Sequence, residues 1–258
     1  MNIFQQFVKS LYSPKDIAGF RNQKIGKTIL YITILSLFAM LPVFIHLIQT
    51  MNLLVHTVEH TLKNDVPDFE IQNGQLITEN KQPIIIEQDH NVFFIFDNTG
   101  EYTPEQIEKE KNNTVAILRN HFVVQINGQT ETLPYSDLGI NKIAKMDLEE
   151  MVDSVKPFLI VFYIIFFILF LVIQFATHLV AITVLAAGGL LFKNLMGRKV
   201  LFGELWNMSA YAITLITVFF IIMDFLKVTV PFATLIRWGV MGIMLFLAVK
   251  ELPKVKTV

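Results

Sequence analysis

Cysteine is absent from this chain of 258 residues. Its absence excludes disulfide bonds, a thiol nucleophile and every metal site with cysteine ligands. Formal charge is missing from the runs 28–48, 158–192 and 205–223, and the run 231–249 contains only Arg237. A helix needs roughly 20 apolar residues to cross the core of a bilayer. In a chain that is 53% hydrophobic with a mean hydropathy of +0.52, these runs predict an α-helical integral membrane protein with four transmembrane helices.

The charges that are present lie in separate regions of the chain. Residues 1–27 have a net charge of +4, residues 50–156 a net charge of −10, and the remaining residues +5. Basic residues accumulate on the cytoplasmic side of membrane proteins. We therefore expect a multi-pass protein of the cell membrane, with both termini cytoplasmic and residues 50–156 extracytoplasmic.

This topology divides the chain into segments. Residues 1–27 are a cytoplasmic amphipathic segment, and 28–49 are the first transmembrane helix, predicted to be an uncleaved signal anchor. An extracytoplasmic domain with helical stalks occupies 50–156. The second transmembrane helix and an inner-surface extension occupy 157–192. A cytoplasmic loop at 193–204, the third and fourth helices at 205–249, and a cytoplasmic tail at 250–258 complete the chain.

The second apolar run is longer than one crossing requires. Its 35 residues would extend about 52 Å as a helix, whereas the bilayer core is about 30 Å thick. Two short spans would place Lys193, Arg198 and Lys199 outside, against the charge rule. We predict one crossing from about residue 158 to 178, followed by an inner-surface stretch at 181–192 with a bend at Gly188-Gly189.

The N-terminal segment has apolar side chains at helical spacing. One face has Ile3, Phe4, Phe7, Val8, Leu11 and Tyr12, and the other has Asn2, Gln6, Lys9 and Ser10. That pattern predicts an interfacial helix in the plane of the lipid headgroups. Ser13 and Pro14 then predict the start of a second helix. The segment either docks a lipid or a partner, or only fixes the topology.

Residues 65–145 have the pattern of a small inserted α+β domain. Asn73-Gly74 and Asn127-Gly128 each predict a hairpin turn. Strands are predicted at 68–72, 75–78, 83–87, 91–97, 114–118, 122–126 and 130–133, and a short helix at 103–112. Residues 50–63 and 146–156 are predicted to be helical stalks that join the domain to the first two spans.

A possible metal site lies in the first stalk. His56, Glu59 and His60 match H-x-x-E-H, the inverted zinc-peptidase motif. On a helix the two histidines share a face and could bind zinc, with Glu59 as general base and His90 or His121 as a further ligand. The other interpretation is a chance match of five residues, and no cofactor is then expected.

Four polar residues inside or directly after the apolar runs are candidates for a functional role. Asp224 and Arg237 are close enough in the last helical hairpin to predict a structural ion pair, which Lys227 could share; the alternative is that the two charges face a water-filled path and serve a function. Gln174 and His178 are one turn apart, so they either line a polar path or bond a neighbouring helix. His46, near the end of the first span, is predicted to bond a neighbouring helix.

A further candidate lies at a strand end in the inserted domain. Asp97 and Asn98, followed by Thr99-Gly100, place an acid and an amide at a corner where ligands can bind. The same residues are also ordinary turn formers. Catalytic residues are not identified by any of these patterns.

Parts of the sequence resemble an uncharacterised membrane-protein family of Gram-positive bacteria. The resemblance is carried by residues 10–28, Ser-Leu-Tyr-Ser-Pro-Lys-Asp-Ile-Ala-Gly-Phe-Arg-Asn-Gln-Lys-Ile-Gly-Lys-Thr, and by 69–76 and 93–100. Some members of that family are labelled maltodextrin-utilisation proteins, and its helical part is distantly similar to Yip-type membrane proteins. The resemblance implies no catalytic residues.

Three functions are consistent with these features. The first is a non-enzymatic envelope protein that binds or senses something outside and acts through a membrane partner, such as a sugar transporter. The second is a transport component that moves or gates a small solute. The third is a membrane-tethered zinc hydrolase. Expected partners are the lipid bilayer and either a membrane protein or further copies of the chain; nucleic acid is not expected, because the basic residues lie at membrane interfaces.

Overall fold

The chain divides into two compact units in the computed structural model. Residues 1–88, 92–110, 113–139 and 142–254 are described. The helical unit comprises Met1–Leu47 and Ile164–Val258, and the α+β unit comprises Ile48–Tyr163. His90 and Asn91, from the predicted zinc site and a predicted strand, lie outside the described residues.

Helices account for most of the described chain. They are α1 (Ile3–Ser10), α2 (Pro14–Gly19), α3 (Ile25–Asn64), α4 (Pro104–Glu110), α5 (Lys145–Leu195), α6 (Phe202–Ala212), α7 (Thr214–Phe225) and α8 (Ala233–Lys250). Four helical segments among these residues are long and apolar enough to cross a membrane: α3, α5, α6 with α7, and α8. The prediction of four long apolar helices is confirmed. The third differs in detail, because α6 and α7 are separate helices that meet at Ile213.

The strands form two small sheets. The three-stranded sheet has the order β2 (Gln75–Thr78), β1 (Phe69–Gln72), β8 (Lys142–Ala144). The five-stranded sheet has the order β3 (Ile84–Gln88), β4 (Val92–Asp97), β5 (Asn113–Leu118), β6 (His121–Ile126), β7 (Gln129–Pro134). Its neighbours are antiparallel except β4 and β5, which run parallel and are connected through α4. The predicted small mixed α+β region is therefore present.

Strand β4 of the five-stranded sheet has buried residues on both of its faces. Phe94 and Phe96 of β4 pack into one core, which Leu62 at the end of α3 also enters. Ile95 packs into a second core together with Ile107 of α4. Alternate residues of a strand point to opposite faces. β4 is therefore apolar along nearly its whole length.

The core of the helical unit includes polar side chains that bond one helix to another. Thr28 of α3 donates to the Asn207 side-chain oxygen of α6 at 2.9 Å. The hydroxyl groups of Tyr31 and Thr214 lie 2.5 Å apart. Away from this core, large apolar side chains of α5 such as Ile165, Leu169 and Val180 are exposed. An exposed apolar surface of this extent is typical of a lipid-facing or subunit-facing helix.

The N-terminal helices form where the sequence predicts them, but α1 lies differently. Ser13 Oγ accepts a hydrogen bond from the backbone N–H of Asp16, which caps α2. Gln6 and Ser10, predicted to face water, are buried, and Tyr211 donates to the Gln6 side-chain oxygen at 3.3 Å. The expected polar face is wrong at these positions, because both side chains are satisfied while buried: Gln6 accepts from Tyr211, and the Ser10 hydroxyl donates to the backbone oxygen of Gln6. Phe4 and Tyr12 remain exposed.

Helix α5 continues without interruption through the two glycines at which a bend is predicted. It contains 51 residues and is therefore about 76 Å long. A Cβ at Gly189 would lie 3.0 Å from Leu245 Cδ2 and 3.1 Å from Leu205 Cδ2, whereas one at Gly188 would meet nothing within 4 Å. Gly189 therefore allows α6 and α8 to pack closely against α5.

Candidate functional site

A cavity of about 390 Å³ lies within the helical unit. Residues of α3, α5, α7 and α8 form its walls, together with Ile213 between α6 and α7. All four polar candidates inside or directly after the apolar runs line it: Gln174, His178, Asp224 and Arg237. Thr177, Thr217 and Thr234 add hydroxyl groups. The structure therefore brings together residues that are up to 63 positions apart in the sequence.

His178 bonds in two directions at this cavity. Its Nδ1 lies 2.8 Å from Ser36 Oγ on α3, and its Nε2 lies 3.2 Å from the Gln174 side-chain nitrogen one turn earlier on α5. An amide nitrogen can only donate, so Nε2 accepts and the Nδ1–H donates to Ser36. The two predicted roles of the Gln174 and His178 pair thus coincide, since the pair lines a polar cavity and also bonds a neighbouring helix.

The predicted ion pair between Asp224 and Arg237 does not form. Within the described part of the chain neither side chain has an ion-pair partner, and Lys227 is not one. The Arg237 guanidinium instead lies over the ring of Phe220, 4.1 Å from its centroid. Phe220 precedes Asp224 by one turn of α7, so the arginine contacts an aromatic face on the helix that also has the aspartate. This prediction is wrong because a cation–π contact takes the place of the ion pair.

His46 bonds to the same helix end. Its Nε2 lies 3.1 Å from the backbone carbonyl oxygen of Asp224, as expected of a histidine that bonds a neighbouring helix. Its Nδ1 is buried without a hydrogen-bond partner. The carboxylate of Asp224 receives no bond from this ring.

The residues of the H-x-x-E-H stretch have other partners. Glu59 accepts from Lys156 at 2.6 Å and from Lys63 at 3.1 Å. His60 Nδ1 lies 3.4 Å from Asp65, while the rings of His56 and His60 are stacked with centroids 6.3 Å apart. The described residues contain no group of three or more His, Cys, Asp or Glu side chains placed to hold a metal ion. The carboxylate that would act as general base is held by two lysines.

Asp97 is fully buried, and its carboxylate is engaged within the turn. The backbone N–H and hydroxyl group of Thr99 donate to one oxygen, at 2.8 and 2.6 Å, and the backbone N–H of Tyr102 donates to the other at 2.7 Å. Burial alone would raise the pKa of the Asp97 carboxyl, but these hydrogen bonds outweigh it and hold the pKa below its usual range. Asn98, beside it, has a buried side-chain oxygen without a partner.

Sequence patterns did not identify two features of these sites. Ser36, the partner of His178, is one hydroxyl in an apolar run, and only the packing of α3 against α5 gives it significance. A second cavity, of about 550 Å³, lies beyond the Asp97 turn in the α+β unit. Its acidic and basic lining residues are Glu105, Glu108, Arg119 and His121. Glu105 and Glu108 lie on α4, whereas Arg119 lies just before β6 and His121 at its start, and no sequence pattern joins the two groups.

These features define a class of protein: four helical segments long enough to cross a membrane, an α+β domain inserted between the first two, and a polar cavity among the helices. The chain belongs to the family described as Protein of unknown function (DUF1189), whose model matches residues 4–249. No curated protein and no solved structure matches the chain. The expected membership of an uncharacterised family is therefore confirmed.

Proposed function

We propose that this chain is a multi-pass protein of the cell membrane with both termini in the cytoplasm and residues 50–156 outside. The exposed apolar side chains of α5 and α8 support this arrangement, because water would be an unfavourable solvent for them. The charge distribution supports the orientation, since the segment placed outside has a net charge of −10.

Within that topology, the protein is a solute-handling component, without enzymatic activity, that binds a small molecule in the helical unit and moves or gates it. One observation carries the proposal: Gln174, His178, Asp224 and Arg237 converge on a single cavity. Ionisable groups in membrane spans are costly unless they face a partner or a water-filled path. A cavity of about 390 Å³ is also within the range of small-molecule sites.

The absence of cysteine allows a direct test, because any introduced thiol is the only one in the chain. We expect the Thr177→Cys variant, at a cavity-lining position, to react with a charged, membrane-impermeant thiol reagent in nanodiscs. The Val180→Cys variant is the matched control, since Val180 is 64% exposed on the same helix and does not line the cavity. If both thiols reacted equally slowly with the reagent, the result would contradict a water-filled cavity.

The same method tests the orientation. Ser136 and Lys15 are both exposed, in the α+β unit and the N-terminal segment respectively. In intact cells, an impermeant maleimide should label the Ser136→Cys variant and not the Lys15→Cys variant, and permeabilised cells should show both. Labelling of Lys15→Cys alone in intact cells would contradict this orientation, because it would place the N-terminal segment outside.

A second candidate function is a sensor that binds a molecule outside and acts through a membrane partner. The cavity of about 550 Å³ in the α+β unit favours it, because its walls carry both acidic and basic side chains. The resemblance to proteins labelled maltodextrin-utilisation supports a sugar transporter as the partner, and the distant similarity to Yip-type proteins supports a role beside other membrane proteins. Loss of activity in Arg119→Ala but not in Gln174→Leu would favour the sensor over the solute-handling component.

A further inference from the structure

Two opposite charges line the cavity of the helical unit without neutralising each other. The Arg237 guanidinium lies over the Phe220 ring, and among the described residues neither Arg237 nor Asp224 forms an ion pair. In a low-dielectric environment an unpaired charge is unfavourable, and opposite charges on neighbouring helices normally pair. Their separate positions in one cavity are therefore the arrangement expected of a site that binds a molecule with both charges.

The groups at the two positions determine the chemistry of that molecule. A guanidinium presents parallel N–H donors that match the oxygens of a carboxylate or a phosphate. An aspartate carboxylate is an acceptor that matches an ammonium group. Trp238 and Met241 add apolar wall to the same cavity. The complement of this lining is a small zwitterion with an apolar portion.

We propose that the cavity binds a zwitterion, with its anionic group on Arg237 and its ammonium group on Asp224. This inference rests on the proposed solute-binding function and specifies its ligand class. The same chemistry occurs in a free amino acid and in a lipid headgroup that contains a phosphate and an ammonium group. The two sources require separate arms of one experiment.

The experiment measures how fast an impermeant thiol reagent modifies the Thr234→Cys variant, because Thr234 lines the cavity one turn before Trp238 on α8. In phosphatidylglycerol nanodiscs, L-leucine should slow the reaction about tenfold when it is in roughly tenfold excess over its dissociation constant. N-acetyl-leucine, which lacks the ammonium group, and leucinamide, which lacks the carboxylate, should change the rate less than about twofold under the same conditions. In the lipid arm, phosphatidylethanolamine nanodiscs should slow it without any added solute.

Charge variants in the same background distinguish binding from a general effect. Asp224→Asn removes the carboxylate that would bind the ammonium group but keeps Arg237. In this background N-acetyl-leucine should slow the modification of Thr234→Cys, and leucine should not. Arg237→Gln should lose protection by leucine and by phosphatidylethanolamine. If Arg237→Gln does not fold, the change of selectivity in Asp224→Asn still decides the question.

The outcomes separate this inference from the proposed function. A Thr234→Cys variant that reacts in phosphatidylglycerol nanodiscs, but is protected by neither leucine nor phosphatidylethanolamine, overturns the zwitterion site and leaves the water-filled cavity standing. Equal protection by leucine, N-acetyl-leucine and leucinamide also overturns it. A variant that does not react at all overturns both proposals.

Discussion

In the helical unit, Thr28, Tyr31 and Ser36 are buried and hydrogen-bonded between helices, while Ile165 and Val180 are more than half exposed. In the α+β unit the arrangement is the usual one for a water-soluble domain. Its phenylalanine and isoleucine side chains fill two cores, and its lysine and glutamate side chains form ion pairs near the surface. The comparison shows that both units have a buried apolar core, but the helical unit also exposes a long apolar helix surface and bonds its helices through buried polar side chains.

The tightest contact in the helical unit gives the largest expected effect. Gly189→Leu should destabilise the protein by about 3 kcal/mol or prevent folding, because even its Cβ would lie 3.0 Å from Leu245 Cδ2. The measurement is the yield and thermal unfolding of the purified protein in detergent. Gly188→Leu is the matched control, since a Cβ there meets nothing within 4 Å. Because leucine favours a helix more than glycine does, equal losses in both variants would contradict the assignment of the effect to the close contact at Gly189.

The polar bonds of the helical unit should contribute somewhat less. The Asn207 side chain donates to the backbone oxygens of Arg21 and Gln23 at 3.0 and 2.9 Å and accepts from Thr28. Asn207→Leu leaves these groups unpaired in the core, so we expect a loss of about 2 kcal/mol in thermal or denaturant unfolding. Asn194→Leu, at an exposed position, should cost far less. If Asn207→Leu were neutral, apolar packing alone would hold the helices together.

In the α+β unit the corresponding test concerns Asp97. Asp97→Asn should lower stability by about 1–2 kcal/mol at neutral pH, because the new amide N–H₂ would face N–H or O–H donors that now bond the carboxylate. The lowered folded-state pKa of Asp97 gives the pH dependence its sign. Its stabilising contribution is fully present above the unfolded-state pKa of about 3.9 and is lost as the pH falls through the folded-state value.

Thermal unfolding between neutral pH and acid checks this prediction. The difference between wild type and Asp97→Asn should shrink as the solution is acidified below the unfolded-state pKa. The exposed Asp137→Asn variant provides the control and should follow the wild type throughout. A difference that stays constant with pH would show that the charge of Asp97 is unimportant.

Local patterns allowed much of the fold to be predicted. Asn73-Gly74 and Asn127-Gly128 adopt the left-handed conformation that their hairpins require, with φ of 52° and 76° in the first and 52° and 78° in the second. The four long helices were predictable for a similar reason, because each corresponds to a continuous apolar run in the sequence. In contrast, β8 was missed because its three residues have no pattern of their own, and they form a strand only by pairing with β1 about 70 residues earlier.

The site was predictable only as separate residues. Gln174, His178 and Arg237 are conspicuous because they interrupt apolar runs, and Asp224 because it directly follows one. Their meeting in one cavity depends on how α5, α7 and α8 pack, and no spacing rule encodes that packing. Arg237 contacts Phe220 and does not pair with Asp224. The two residues differ in position by one helical turn, and the sequence does not determine the helix packing that precisely.

The smallest effect on stability is expected for the partly exposed ion pairs of the α+β unit. Glu59 bonds Lys156 and Lys63, but all three side chains are partly exposed, and ion pairs in water contribute little. Glu59→Gln should therefore leave the thermal midpoint unchanged at physiological salt and lower it slightly at about 0.01 M salt, where charges are screened over roughly 30 Å and not 8 Å. Addition of a chelator should not alter either result. A large loss of stability that depends on the chelator would instead mean that His56, Glu59 and His60 bind a metal ion. The ion pairs of Glu59 with Lys63 and Lys156 would then be broken when the metal binds.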